Sequence, residues 1–144
     1  MPAPTTIRSI AVRELNIPLF SPFGIAGGAQ ASAQNLLVTV ELADGTLGYG
    51  EGAPFPAYNG ETQEKALEGV RLAQGQIEGA DVREWREIGA RLAACIGKVG
   101  SARCAIEMAV LDALTRRSGM PLWAFFGGKA TLLETDMTIT TGTV

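Results

Sequence analysis

At 144 residues, with 47% hydrophobic and 19% charged residues, the chain has the size and composition of one soluble globular domain with a real core. A net charge of −3 with no basic run argues against a nucleic-acid surface, and no apolar stretch approaches the roughly 18 residues of a membrane span. Histidine is absent, so neither a Ser-His-Asp triad nor a His-based zinc site can be built from these residues. Any chemistry here must use Lys, Asp, Glu or Tyr, or lie outside the chain.

Residues 1–6 read as a loose end without the charged-then-apolar pattern of a leader, which points to a cytoplasmic protein. Ile7 to Leu19 alternates as a strand but changes phase. Ile10 and Val12 are even, whereas Leu15, Ile17 and Leu19 are odd. One inserted residue near Arg13–Glu14 would produce that change, so a bulge is expected there. Pro18 suits an edge or a strand exit. Phe20 to Ala33, FSPFGIAGGAQASA, has no steady period and reads as a long loop. Loops of this length serve as lids or binding loops more often than as spacers.

Gln34 to Leu42 alternates cleanly, with Leu36, Val38, Val40 and Leu42 on one face, and Asp44-Gly45 signals a hairpin turn. In the return strand, Thr46 to Gly52, the glycines 48, 50 and 52 share a face. Three glycines at period two predict another backbone lying close on that side. Ala53 to Gly60, APFPAYNG, reads as a second loop, carrying Phe55 and Tyr58. In an antiparallel meander both loops leave the sheet at the same end, where they can form a lid over a small-molecule site.

Thr62 caps a helix with Ala66, Val70, Ala73 and Ile77 on one face. Asp81 and Glu84 have capping-box spacing, Trp85, Ile88, Leu92 and Ile96 follow at helical intervals, and Gly97 ends that helix. The stretch SARCAIEMAVLDALTRRSGMPLWAFFGG predicts a central helix capped by Ser101. Ala102, Ala105, Ile106, Ala109 and Ala113 form one row and Met108, Leu111 and Leu114 a second. The alanines allow close approach, and Asp112 and Arg116 are spaced to pair. Gly119 and Pro121 end the helix, and Leu122, Trp123, Phe125 and Phe126 read as an apolar plug. Cys95 and Cys104 read as buried free thiols rather than a disulfide or metal pair. Thr135 to Thr140 alternates as a strand that has no nearby partner, like the first strand of something larger. The fold class expected is therefore α+β, a three-stranded antiparallel meander followed by a helical bundle.

The segments PLFSPFGIAGGAQ, ADGTLGYGEGAPFP, ARCAIEMAVLDALTRRSGMPLWAFFGG and LETDMTIT resemble the N-terminal part of the enolase superfamily, in its muconate-lactonizing-enzyme-like subgroup. NGETQ together with LETDMTIT most resembles the dipeptide epimerases. The resemblance implies a capping domain over 1–130 and, over 131–144, the first strand of a C-terminal (β/α)8 barrel that is otherwise absent. In that family two barrel lysines, one in a Lys-x-Lys motif, act as acid and base on the substrate α-proton. Three barrel carboxylates bind Mg2+ there. Lys65, Lys98 and Lys129 are isolated in this chain. The resemblance therefore implies no catalytic residue and no metal ligand here, the Mg2+ being bound by the missing barrel. A barrel needs about 250 residues, so the sequence reads as a fragment, a divided chain or a truncation.

The same resemblance implies substrate contacts at Phe23, Ile25 and Gly28 in the first lid loop, at Phe55 and Tyr58 in the second, and at Thr138 near the end of the first barrel strand. In Ala-Glu epimerases a basic residue of the first loop pairs with the substrate's side-chain carboxylate. Gly28 stands at the matching position, and neither loop holds Lys or Arg. A hydrophobic or cationic dipeptide is expected rather than an acidic one. Glu51 is the nearest acidic candidate for a cationic end group, with a structural role in the third strand as its alternative. The reading implies a dipeptide epimerase that is a homo-oligomer, with neither nucleic acid nor membrane as partner. Muconate cycloisomerase, o-succinylbenzoate synthase and a non-catalytic capping or interaction module remain the rival functions.

Overall fold

Leu36, Val38, Val40 and Leu42 point to one side of a strand and are all fully buried, and the remaining architecture assembles on that face. The computed structural model describes residues 2–25, 27–129 and 132–135. Strands β1 (Ile7–Ile25), β2 (Gly28–Leu42) and β3 (Leu47–Gly52) form an antiparallel sheet in that order. Helices α1 (Pro56–Asn59), α2 (Gln63–Ile77), α3 (Trp85–Ile96), α4 (Gly100–Arg117) and α5 (Leu122–Phe125) follow, with a 3-10 turn at Val82–Glu84. The expected α+β meander and helical layer are thus present.

One hydrophobic cluster joins the sheet to α2, α3 and α4 through Ile10, Val38, Val70, Ile77, Leu92 and Ile106 among others. The glycine face of β3 meets α4. A Cβ at Gly48 or Gly50 would run into the carbonyls of Ala109 and Ala105, and one at Gly52 would stand 2.7 Å from the Ser101 carbonyl. The alanine row of α4 is the complementary surface, since Ala102, Ala105, Ala109 and Ala113 are fully buried. Gly45, at φ 87, makes the β2–β3 turn, with the Asp44 carboxylate accepting from the Thr46 N–H. Thr62 caps α2 as expected, accepting from the Lys65 N–H at 3.2 Å. Asp112 pairs with Arg116 at 2.7 Å and also accepts from the Tyr49 N–H at 2.9 Å.

Several expectations are corrected. The first loop is not a loop. β1 and β2 stay paired as far as Ile25 and Gly28, so Phe20 to Ala33 belongs to a long hairpin arm. Among the described residues from Ala11 to Asn35 none is buried. With no core face to enforce alternation, the arm's sequence carries no period. The register runs unbroken through Arg13–Glu14, and its shifts lie instead between Ile7 and Ser9 and between Pro18 and Phe23. The first shift puts Ile7 and Ile10, three apart, on the same buried side. The second absorbs Leu19 to Pro22, where Pro22 has no N–H to give the ladder.

The second loop contains α1. Ser101 is not the cap of α4, because Val99 holds that position without a side-chain bond. Cys95 and Cys104 are free but exposed. Trp123 and Phe126 are more than half exposed, so the residues after Pro121 do not form a closed plug. Phe125 packs edge-on, 6.0 Å from Trp85 and 5.2 Å from Phe126. Leu132 and Leu133 are also exposed. The strand expected over Thr135 to Thr140 falls, beyond Thr135, outside the described residues.

Residues 5–7 are tied down rather than loose. The Val82 N–H donates to the Thr5 carbonyl, the Ile7 N–H to Ala80, and the Gly79 N–H to Ile7. Asp81 anchors this seam. It accepts from the Arg83 guanidinium at 2.6 Å and from the Thr5 hydroxyl at 3.0 Å. Those donors, Arg83 foremost, hold its carboxyl well below its ordinary 3.8.

Two outcomes follow from these contacts. Gly50→Ala should lower the unfolding free energy by about 3 kcal/mol or prevent folding, because backbone must shift to admit the methyl. Gly75→Ala, within α2 and with nothing within 4 Å of its Cβ position, should raise stability by about 0.5–1 kcal/mol. Chemical denaturation reads both, and a wild-type midpoint for Gly50→Ala would refute the close-approach account. Asp81→Asn should melt lower than wild type at pH 7. The native carboxyl titrates below its unfolded value, so its contribution is complete above about pH 3.8 and is lost as pH falls toward the native value. Melting scans should therefore show the gap between the two proteins narrowing only below that pH.

Candidate functional site

The meander brings the hairpin tip and the Ala53–Gly60 segment to the same end of the sheet. β1 runs out to the tip, β2 returns, and β3 leaves at Gly52 opposite Leu36. Phe23 and Phe55 meet there, ring centroids 6.2 Å apart and planes tilted by 49°. The backbones also touch. A Cβ at Gly27 would overlap the Ala57 carbonyl, and one at Gly28 would lie 3.3 Å from the Ala57 methyl. Gly28 has φ 145, a conformation that L side chains rarely adopt. Residue 28 is thus held to glycine by its backbone as well as by its neighbour.

Between the two segments lies an open groove of about 430 Å³, lined by Gly27, Gly28, Ala29, Gln34, Phe55 and Pro56 among others. None of the residues lining it is ionisable. Ile25 pairs with Gly28 at the tip and is partly exposed, and Tyr58 on α1 is 81% exposed. Phe23, Gly28 and Phe55 are therefore brought together, with Ile25 beside them. Tyr58 stands on the same segment, outside the groove lining. Thr138 lies outside the described residues.

Sequence reasoning missed the polar frame beneath this lid. The Gln63 amide donates to the Asn16 side chain at 2.7 Å and to the Asn35 carbonyl at 2.6 Å, fixing the root of the arm to the start of α2. The Asn35 amide donates to Glu51 at 2.6 Å. Glu51 therefore serves the sheet, which is the structural alternative given for it above. Glu61 was also overlooked. Its carboxylate accepts from the Gly100 N–H at 2.8 Å and the Ser101 N–H at 2.9 Å, and from the Ser101 hydroxyl. Burial raises its pKa, but the three donors outweigh that and hold it below the ordinary value. These partners lie 28 to 47 residues apart for Gln63 and about 40 apart for Glu61, where no local spacing can reveal them.

Chemically the groove can contact, orient and exclude water. Among the described residues no three His, Cys, Asp or Glu side chains gather as a metal site requires, and no lysine lines the groove. No described helix is long and apolar enough to cross a membrane.

The model of the mandelate racemase / muconate lactonizing enzyme N-terminal domain matches residues 7–127. An aromatic dipeptide epimerase of Herpetosiphon aurantiacus is 55% identical over 139 residues, covering 96% of this chain and 39% of that protein. The crystal structure of a mandelate racemase/muconate lactonizing protein from Herpetosiphon aurantiacus superposes with a TM-score of 0.93 at 55% identity, over 97% of this chain and 39% of that one. A dipeptide epimerase from Enterococcus faecalis, solved with Mg and the dipeptide L-Leu-L-Tyr, gives 0.80 at 30% identity, over 83% of this chain and 34% of that one. The chain thus spans about two fifths of the length of the first of these relatives.

The contact between the two lid segments can be measured directly. In a double-mutant cycle of Phe23→Ala and Phe55→Ala, denaturant unfolding should return a coupling of about 0.5–1.5 kcal/mol. Strictly additive losses would mean that the rings do not interact in solution.

Proposed function

The chain belongs to the mandelate racemase / muconate lactonizing enzyme family, and from that premise we propose that it is the capping lid of a dipeptide epimerase acting on dipeptides with an apolar, above all aromatic, side chain. The observation that carries this reading is the 55% identity to an aromatic dipeptide epimerase over 96% of the chain. The groove supports it independently. A charged side chain entering the groove beside Phe55 would lose water without gaining an ion partner, whereas an aromatic ring would gain area and a ring contact. Of the hydrophobic and cationic substrates expected from the sequence, the apolar class is therefore preferred, since Glu51 is already engaged by Asn35. In this reading Phe23, Ile25, Gly28, Phe55, Tyr58 and Thr138 contact the substrate. Residues 1–130 form the cap and 131–144 begin the barrel.

Inversion at an α-carbon needs one group to take the proton from one face and another to return it to the opposite face. The groove offers neither. Its part is to cover the substrate, exclude water and hold the apolar side chain so that the α-carbon is presented at a fixed place. Among the described residues no group of His, Cys, Asp or Glu fits a Mg2+ site. We assign the metal ligands and the proton-transferring lysines to the length that the relatives have beyond this match.

The full-length protein, incubated in D2O with Mg2+ and a panel of L,L-dipeptides, should incorporate deuterium and invert dipeptides carrying Phe or Tyr at least about tenfold faster than Ala-Glu, the difference of an uncompensated charge. Mass spectrometry and chiral chromatography read the outcome. Exchange into no dipeptide, or a preference for the acidic one, would refute the proposal.

A further inference from the structure

Beyond the buried Pro54, the second lid segment is held by its contacts with the hairpin tip at Phe55 and Ala57. Helix α1 is one turn of four residues with no buried side chain, too short to persist by its own hydrogen bonds. It ends at Gly60, which adopts the left-handed conformation at φ 75. Immediately beyond, three consecutive polar contacts fix the chain. The Asn59 side chain accepts from the Glu61 N–H at 3.0 Å, Glu61 reaches α4, and Thr62 caps α2. Of the three only Glu61 joins the segment to a distant element. Helix α4 presents free N–H groups there because Val99 supplies no cap, and a carboxylate at a helix N-terminus is further favoured by the helix dipole. The receiving end is fixed, because α4 is pressed onto the glycine face of β3 by four buried alanines.

We infer that Glu61 is a positioning residue, whose carboxylate pins the exit of the second lid segment to the first turn of α4 and thereby sets where Phe55 and α1 stand against the hairpin tip. It touches neither the groove nor a substrate in it. Its influence runs through Gly60 and α1 to Ala57 and Phe55, which meet Gly27 and Phe23. The catalytic consequence rests on the function proposed above, whereas the mechanical consequence does not.

The test compares full-length wild type with Glu61→Ala, Glu61→Gln and Ser101→Ala. Amide hydrogen exchange is followed by mass spectrometry, and KM and kcat are measured separately on a Phe- or Tyr-containing dipeptide. Loss of the charged acceptor should speed exchange across 53–62 by about tenfold. Strand β2 and the later turns of α4 should exchange as in wild type. KM should rise about tenfold with kcat within about twofold, because the lid is displaced while the chemistry is untouched. Ser101→Ala, which keeps the carboxylate and both backbone donors, should give the same pattern to a smaller extent. It decides the matter, with Glu61→Gln, if Glu61→Ala does not fold. Unchanged exchange across 53–62, acceleration spread evenly along α4, or faster exchange with unchanged KM would each overturn the inference. If wild type turns over no dipeptide, the proposed function falls, and exchange across 53–62 alone still decides whether Glu61 pins the segment.

Discussion

Helix α4 and strand β3 meet backbone to backbone. Helix α4 lies so near β3 that no side chain larger than hydrogen fits at residues 48, 50 and 52, and the helix answers with alanine at each turn. Neither partner gains much from propensity, since glycine weakens a strand and small side chains bury little area. The gain is in position. At that distance the helix cannot slide or rotate without a clash, so what it carries is held in register with the sheet. Asp112 is carried to the Tyr49 N–H, the helix N-terminus is carried to Glu61, and α2 and α3 close over the remaining faces of one cluster.

The hairpin arm is built on the opposite plan. None of its described residues from Ala11 to Asn35 is fully buried, and it depends on ladder hydrogen bonds and on what its ends touch. Its root is gripped by the Gln63 amide and its tip by Phe55 and Ala57. An element with so few buried contacts opens at low free-energy cost. That suits the lid role proposed for it.

What the residues revealed beforehand follows from how far apart the interacting groups lie. The period-two glycines, the alanine row, the buried alternation of Leu36 to Leu42, the Asp44-Gly45 turn and the Thr62 cap are written in neighbouring residues, and each stands where the pattern placed it. The arm was hidden because alternation records a buried face, and the arm has none. The phase change before it was visible, but a solvated strand allows Leu15 and Ile17 to face outward with no inserted residue, so the bulge was placed wrongly. Ser101 was expected to cap its own helix. It does bond at that terminus, but to Glu61, a partner 40 residues away that no local spacing announces. The membership of the chain in its family was legible from four motifs, and strand direction alone put the segments of Phe23 and Phe55 at the same end of the sheet, though not their ring contact.

The bond from Asp112 to the Tyr49 N–H bears on assembly. β3 is an edge of the sheet, and an edge strand with free amides invites a strand from a neighbouring molecule. Here the outward amide at the middle of that edge is already satisfied by a helix carboxylate, itself steadied by Arg116, whose guanidinium lies 5.4 Å from the Tyr49 ring. A fourth strand could dock only by breaking that bond and displacing the arginine. At the other edge, Pro18 and Pro22 of β1 offer no amide at all. Each edge of the sheet thus carries a feature that disfavours an added strand, a bonded amide on β3 and two prolines on β1.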